Sequence, residues 1–468
     1  MRAATTVMLA CARPGRRGLA RRASVFLSAL AVIVAALLAF PQAAKAVPSF
    51  ARQTGQPCAT CHTAYPELTP YGRRFKLSGY TLQGGDSSLP PIAAMVMPTF
   101  THTEAALDPG SQPPGTQTNN NLAVQQVTGF YAGRVYGDLG AFIQVTDSPI
   151  GNTNTLFLDA TDVRYVKSGT LFGQTAWFGI DVNNTPTVED VWNTTPAFSF
   201  PEISTIFAAF SPPLTHLESG WGQQVAGAGG YMFWNDMFYA DLTGYMAIPK
   251  SGLMALGEPI GDGLSGVAPY WRLAMEPHWG DNYWEVGTFG MYGQVVPGYV
   301  GEFGTDNLLD VGFDSQYQYD GDRYSVTVKL TDIMEWQKLN SSFAQGNSSN
   351  LDNRLNSFKA NASFVWDHTY SVTAGYFDVS GTSDMGLYGA NSFNNSPNGR
   401  GLIFDVAYLP FSHGSPWPYS TYNARIGISY TRYLELFGGT NNFDGSGLGG
   451  THNASGNNAL FLYAWLAF

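Results

Sequence analysis

The stretch Tyr324-Ser325-Val326-Thr327-Val328-Lys329-Leu330-Thr331 alternates without a break between apolar or aromatic and polar side chains. Successive side chains of an extended chain point to opposite faces, so this is a strand with one apolar and one polar face. The pattern recurs. Phe358, Ala360, Ala362, Phe364 and Trp366 alternate with Lys359, Asn361 and Ser363, and Ala424, Ile426, Ile428 and Tyr430 alternate with Arg425, Ser429 and Thr431. From Ile92 onward such segments are separated by Gly, Asn, Asp and Ser, with strand cores beginning near Ile92, Leu122, Asp138, Leu156, Leu171, Gln223, Asp236, Val267, Asn282, Leu308, Asp322, Asn356, Thr369, Arg400, Thr421 and Asn458.

The connections alternate short and long. Gly137, Ser168-Gly169-Thr170, Asn235, Gly280-Asp281, Gly321 and His368 mark tight turns, and Asn183–Gly222 and Glu435–Asn457 are long polar loops. Pro410–Ser420 is a medium-length exception. Short turns on one side and long loops on the other are the habit of bacterial outer-membrane barrels. The expectation is an all-β fold, a transmembrane antiparallel β-barrel of about 16 strands over 92–468 with a small N-terminal c-type haem segment. The alternating face Leu460, Leu462, Ala464, Leu466, Phe468 fits a closing barrel strand.

Composition agrees. Over 468 residues only 13% are charged, 14% are aromatic, Gly numbers 53, and mean hydropathy is −0.09. A polytopic helical membrane protein would need several apolar runs of about 20 residues. A sequence pI of about 5.0 argues against nucleic acid as a partner.

Residues 1–46 read as a secretory signal. Arg13, Arg16, Arg17, Arg21 and Arg22 precede the apolar run Val25–Phe40, and Ala44-Lys45-Ala46 is a small-x-small cleavage site. An uncleaved anchor is the competing reading. Cleavage removes seven of the 24 basic residues and none of the 35 acidic ones.

Beyond that point only Cys58 and Cys61 remain, followed by His62. In an exported chain, Cys58-Ala59-Thr60-Cys61-His62 is a c-type haem attachment sequence. Two thiols on one helical turn reach the two vinyl groups of a porphyrin edge, and the histidine offers iron its proximal ligand. A zinc half-site lacks a second Cys pair, and a thioredoxin-like pair lacks βαβ context. Residues 47–91 are too few to bury a haem alone, so the rest of the chain must shelter it. Arg52, Arg73, Arg74 and Lys76 lie here, either to balance haem propionates and dock on acidic lumen walls or as a solvated basic face.

Haem segment and barrel together resemble the fused monohaem cytochrome c–porin family of outer-membrane iron oxidases. The matching stretches are PSFARQTGQPCATCHTAYPELTPYGRRFKLSGYTL (48–82), Asn183–Pro196, and the closing LFLYAWLAF. The resemblance implies one covalently bound haem c on Cys58 and Cys61 with His62 as proximal iron ligand. It also implies an oxidoreductase-like electron-transfer role: extracellular Fe(II), or another donor, oxidised outside, with electrons passed to a periplasmic carrier such as a cytochrome or cupredoxin. A haem-containing porin or channel, or an electron conduit for a different extracellular donor, is the alternative.

The sixth ligand is open, with four named candidates beside a Lys or a water. Met95 and Met97 face the lumen by parity in the first strand, and a Met ligand raises the potential. His102 has the opposite parity unless Pro98 breaks the strand. His278 lies near a periplasmic turn, where Arg272 and Glu276 read as a lumen ion pair. Glu302, Asp306, Asp310 and Asp314 are read as acidic loop residues able to steer Fe²⁺.

Overall fold

The computed structural model describes residues 48–85, 90–107, 110, 112–150, 156–195, 205–207, 211–412, 423–443 and 451–468. The signal-peptide segment 1–46 and most of the Pro410–Ser420 connection lie outside the described residues.

Sixteen long strands form one antiparallel sheet that closes on itself. In chain order they are β1 (Ile92–Thr103), β2 (Asn121–Tyr136), β3 (Leu139–Asp147), β4 (Phe157–Leu171), β5 (Gln174–Asn183), β6 (Val225–Trp234), β7 (Phe238–Ala247) and β8 (Ala268–Met275). They continue with β9 (Asn282–Val296), β10 (Asp306–Asp320), β11 (Tyr324–Lys338), β12 (Asp352–Trp366), β13 (Tyr370–Gly381), β14 (Gly399–Tyr408), β15 (Asn423–Glu435) and β16 (Ala459–Ala467). Each pairs with its chain neighbour, and β1 also pairs with β16, with Met95 opposite Ala467 and Phe100 opposite Leu462. Closure leaves no free edge, which a lipid-embedded sheet requires because hydrocarbon satisfies no backbone group.

The alternation sorts side chains as the pattern demands. Leu242, Leu273, Val328, Leu330, Phe364, Val372 and Ile428 are exposed on the outer face, while Thr243, Arg272, Thr327, Lys329, Ser363, Ser371 and Ser429 are buried toward the lumen. Exposed Trp279, Trp284, Tyr324, Trp366, Tyr370 and Tyr408 cluster at the ends of strands joined by tight turns, as an interfacial aromatic girdle does. One turn differs from expectation: β4 runs through Ser168-Gly169-Thr170, and the reversal falls at Phe172-Gly173, both with positive φ (51° and 77°). That is the two-residue hairpin geometry whose twist suits flanking strands.

The lumen is filled by two segments. The first carries three short helices, α1 (Pro48–Thr54), α2 (Cys58–Cys61) and α3 (Pro70–Leu77), and runs directly into β1. Helix α3 starts on Thr69, whose Oγ1 accepts from Gly72 N at 3.1 Å, with Pro70 at its first position. The second is the β5–β6 connection, which folds inward instead of standing out from the barrel: Val191, Trp192, Leu217 and Trp221 are all buried.

Candidate functional site

Helix α2 is a single turn, so Cys58 and Cys61 lie on one face of it, three positions apart. Neither is in a disulfide. Together with His62 they line a lumen cavity of about 1040 Å³, walled by Phe50, Met95, Met97, Phe130, Phe142, Phe461 and Trp465 among others. That is the upper end of the size range of ligand sites, about 300–1,000 Å³.

His62 Nδ1 lies 3.3 Å from the carbonyl oxygen of Glu67, which leaves Nε2 for a metal. Burial pushes the imidazole down to about 4, so the ring is neutral, the form that ligates. Burial, and after it the neighbouring Cys58, pushes Cys61 up to about 12, so its sulfur stays a thiol. A two-thiol turn, a ligand-competent imidazole and a largely apolar chamber beside them fit a covalently attached haem.

The four sixth-ligand candidates separate cleanly. Met95 and Met97 are buried, both on the cavity wall. The pairing with β2 shifts at Met97/Pro98, where Gln125 is the extra residue, so β1 keeps its parity and Gln125 and Gln126 both line the cavity. His102 therefore stays on the outer face, exposed and 3.0 Å from Asn120 Oδ1. His278 is exposed in the short strand His278–Trp279 beside the β8–β9 turn, stacked on Tyr283. Neither histidine is brought to the cavity.

The basic residues of the N-terminal lumen segment dock on the barrel. Arg73 pairs with Glu276 at 2.7 Å and donates to Gln318 Oε1 at 2.8 Å; Arg74 pairs with Asp236. Lys76 donates to the carbonyl of Val188 at 2.5 Å, tying the segment to the inward connection, and Arg52 donates to the carbonyl of Ile92 at 2.6 Å. The expected Arg272–Glu276 pair is not formed. Arg272 instead meets Asp190 (3.3 Å), Glu285 (3.2 Å) and Asp314 (2.5 Å), while Glu276 takes Arg73 and Trp192.

Three fully buried arginines organise this interior. Arg164 on β4 holds Glu189 of the inward connection (3.1 Å) and Asp162 (2.8 Å). Arg272 on β8 holds Asp190. Arg425 on β15 grips the N-terminal lumen segment through the Tyr65 carbonyl (2.7 Å) while pairing with Asp405 (2.9 Å). The sequence reading missed this role. The signal was present as basic residues at inward positions facing an acidic-aromatic stretch, Glu189-Asp190-Val191-Trp192.

No family model and no curated protein matches the chain. Solved structures similar to it include OmpT, an outer membrane protein of Vibrio cholerae, as its loop L8 deletion mutant (9% identity, 81% of this chain and 98% of that one, TM-score 0.42). Others are the outer membrane channel DcaP of Acinetobacter baumannii (11%, 81% and 96%, TM-score 0.44) and Salmonella typhi OmpF in complex with daunomycin (11%, 81% and 97%, TM-score 0.44). The chain is a bacterial outer-membrane β-barrel protein.

These findings correct the expectation of membership in the fused cytochrome–porin family, and with it the expected Fe(II)-oxidising oxidoreductase role. The likeness in fold runs to outer-membrane proteins, a channel among them, and the barrel part of the resemblance is a strand periodicity that the bilayer imposes on any such barrel. The acidic residues expected to steer Fe²⁺ are also committed elsewhere. Asp306, Asp310 and Asp314 are buried on β10, bonded to Ser341 and Ser342, to Leu217 N, and to Arg272 respectively; Glu302 alone of the four is exposed.

Proposed function

We propose that this chain is a haem-bearing outer-membrane porin, a channel-type barrel whose narrowed lumen carries one covalently attached haem c. The observation that carries the reading is the opening of Cys58, Cys61 and His62 onto the largely apolar lumen cavity. Cys58 and Cys61 would hold the porphyrin covalently, and His62 with Met95 or Met97 would be the side chains available to its iron. Such a haem supplies one-electron redox chemistry when bound. The protein's own part is to keep water and bulk solutes from the site. Arg73, Arg74 and Arg425 fix the haem segment against the wall, and Arg164 and Arg272 fix the inward connection above it.

The contact between Lys76 and Val188, which joins the two lumen segments, favours a second reading. In it the obstructed lumen serves as an electron conduit between an extracellular donor other than iron and a periplasmic cytochrome or cupredoxin.

The test combines haem quantification by pyridine haemochrome with planar-bilayer recording on the full exported chain. The expected result is one covalent haem per chain, lost in Cys58→Ser and Cys61→Ser, with discrete conductance steps smaller than those of an open porin. Covalent haem without conductance would move the assignment to the conduit reading. Absence of covalent haem from protein matured with intact haem-attachment machinery would overturn both.

A further inference from the structure

We infer that Asp181, Glu189 and Asp241 form a binding site for a hard divalent cation of calcium size, which pins the inward connection to the barrel wall. Asp181 is on β5, Asp241 on β7 and Glu189 on the connection, and one carboxylate oxygen of each lies within 4.8 Å of the others, all three side chains buried. Across the intervening strand, Asp181 stands opposite Gly229 of β6 and Gly229 opposite Thr243, whose Oγ1 occupies the place a Cβ on Gly229 would take. Gly229 thus admits the hydroxyl that donates to Asp241.

The neighbouring donors do not satisfy this charge. Asn183 Nδ2 donates to Asp181 Oδ2 (2.9 Å) and Glu189 Oε1 (2.6 Å), and Thr243 Oγ1 donates to Asp241 Oδ1 (3.2 Å). Among the described residues the one cation in contact is Arg164, which reaches only Glu189 Oε2, shared with Tyr239 Oη at 3.5 Å, and its Nε is committed to Asp162. Asp181 Oδ1, on a fully buried side chain, receives no hydrogen bond. Buried like charges at this spacing need a cation or protons between them.

The donor set is all oxygen, which selects a hard ion over a transition metal. Calcium fits the spacing: at Ca–O distances of about 2.3–2.6 Å, oxygens on opposite sides of the ion lie roughly 4.6–5.2 Å apart. The inference is independent of the haem.

The experiment is terbium luminescence on the purified full chain in detergent, excited through tyrosine. Tyr239 OH lies 3.5 Å from Glu189 Oε2, and Tyr245 OH lies 2.9 Å from Asn183 Oδ1, so energy transfer to the site is efficient. The expected result is saturable emission at one site per chain, displaced by calcium but not by equal magnesium, and reduced at least tenfold in Asp241→Asn. Because that variant can fail to fold, the wild-type chain decides independently through a calcium-dependent rise in melting temperature reversed by chelator. No saturable emission and no such rise would overturn the inference and leave protons as the charge compensation. Full emission in folded Asp241→Asn, or equal displacement by magnesium, would also overturn it.

Discussion

The guanidinium of Arg425 on β15 donates from Nη1 to the backbone carbonyl of Tyr65 at 2.7 Å, across 360 positions of sequence. The same side chain donates to Tyr463 Oη and pairs with Asp405, each at 2.9 Å. A wall arginine thus positions the chain three residues after His62.

Replacing Arg425 by Leu removes that grip and leaves Asp405 buried without its cation. Loss of one partner of a buried pair costs about 3–5 kcal/mol. Arg425→Leu is expected to lower the denaturation midpoint and to expose the segment 48–85 to limited proteolysis. Unchanged protease resistance would show that the segment is held without it.

Gly72 on α3 sits against the haem-attachment turn so closely that a Cβ would come within 2.2 Å of the Cys61 carbonyl oxygen. Backbone cannot yield as a flexible side chain does, so Gly72→Ala should push α3 off α2 at a cost of about 1–3 kcal/mol or more. Its measurable consequence is reduced covalent haem in matured protein, with the barrel still resistant to unfolding.

Met95 and Met97 are distinguishable by potentiometry. Whichever is the iron ligand, its replacement by His should lower the reduction potential by roughly 0.1 V or more, within the ~0.8 V range that axial ligands command. The other substitution should leave the potential and the absorption spectrum unchanged. Two silent substitutions would rule out both thioethers.

His216, in the inward connection, lies 3.3 Å from Glu335. Burial lowers its pKa, but Glu335, with help from Asp262 and Asp306, outweighs that and leaves it raised. A histidine raised in the folded state contributes stability that is full below its unfolded value near about 6.5 and is lost as pH rises through the folded value. The connection should therefore resist protease best in mildly acidic buffer and loosen on alkalinisation, and His216→Asn should flatten that profile.

The barrel was legible because the bilayer enforces it locally: each strand had to show alternation, and each short turn needed residues tolerant of positive φ. The turn at Phe172-Gly173 was misplaced because an aromatic at positive φ carries no turn signal of its own. Cys58, Cys61 and His62 were legible as a contiguous motif, and Met95 and Met97 by parity. What the sequence concealed was long-range. Asp306, Asp310 and Asp314 look like loop acids until the strand is extended back to Asp306, when all three fall on the lumen side. The connection after Asn183 reads as an ordinary polar loop, since nothing local says that Glu189 and Asp190 will find Arg164 and Arg272.

The seam between β1 and β16 ties the wall to the interior. Ala94 and Phe468 exchange backbone hydrogen bonds there (2.7 and 2.8 Å), and Tyr65 Oη donates to the Trp465 carbonyl just inside it (3.0 Å). The chain runs from the lumen segment directly into β1, so the strand that closes the cylinder is also the one that carries its filling. Whatever disturbs the last strand at the seam is thereby transmitted to the interior through Tyr65.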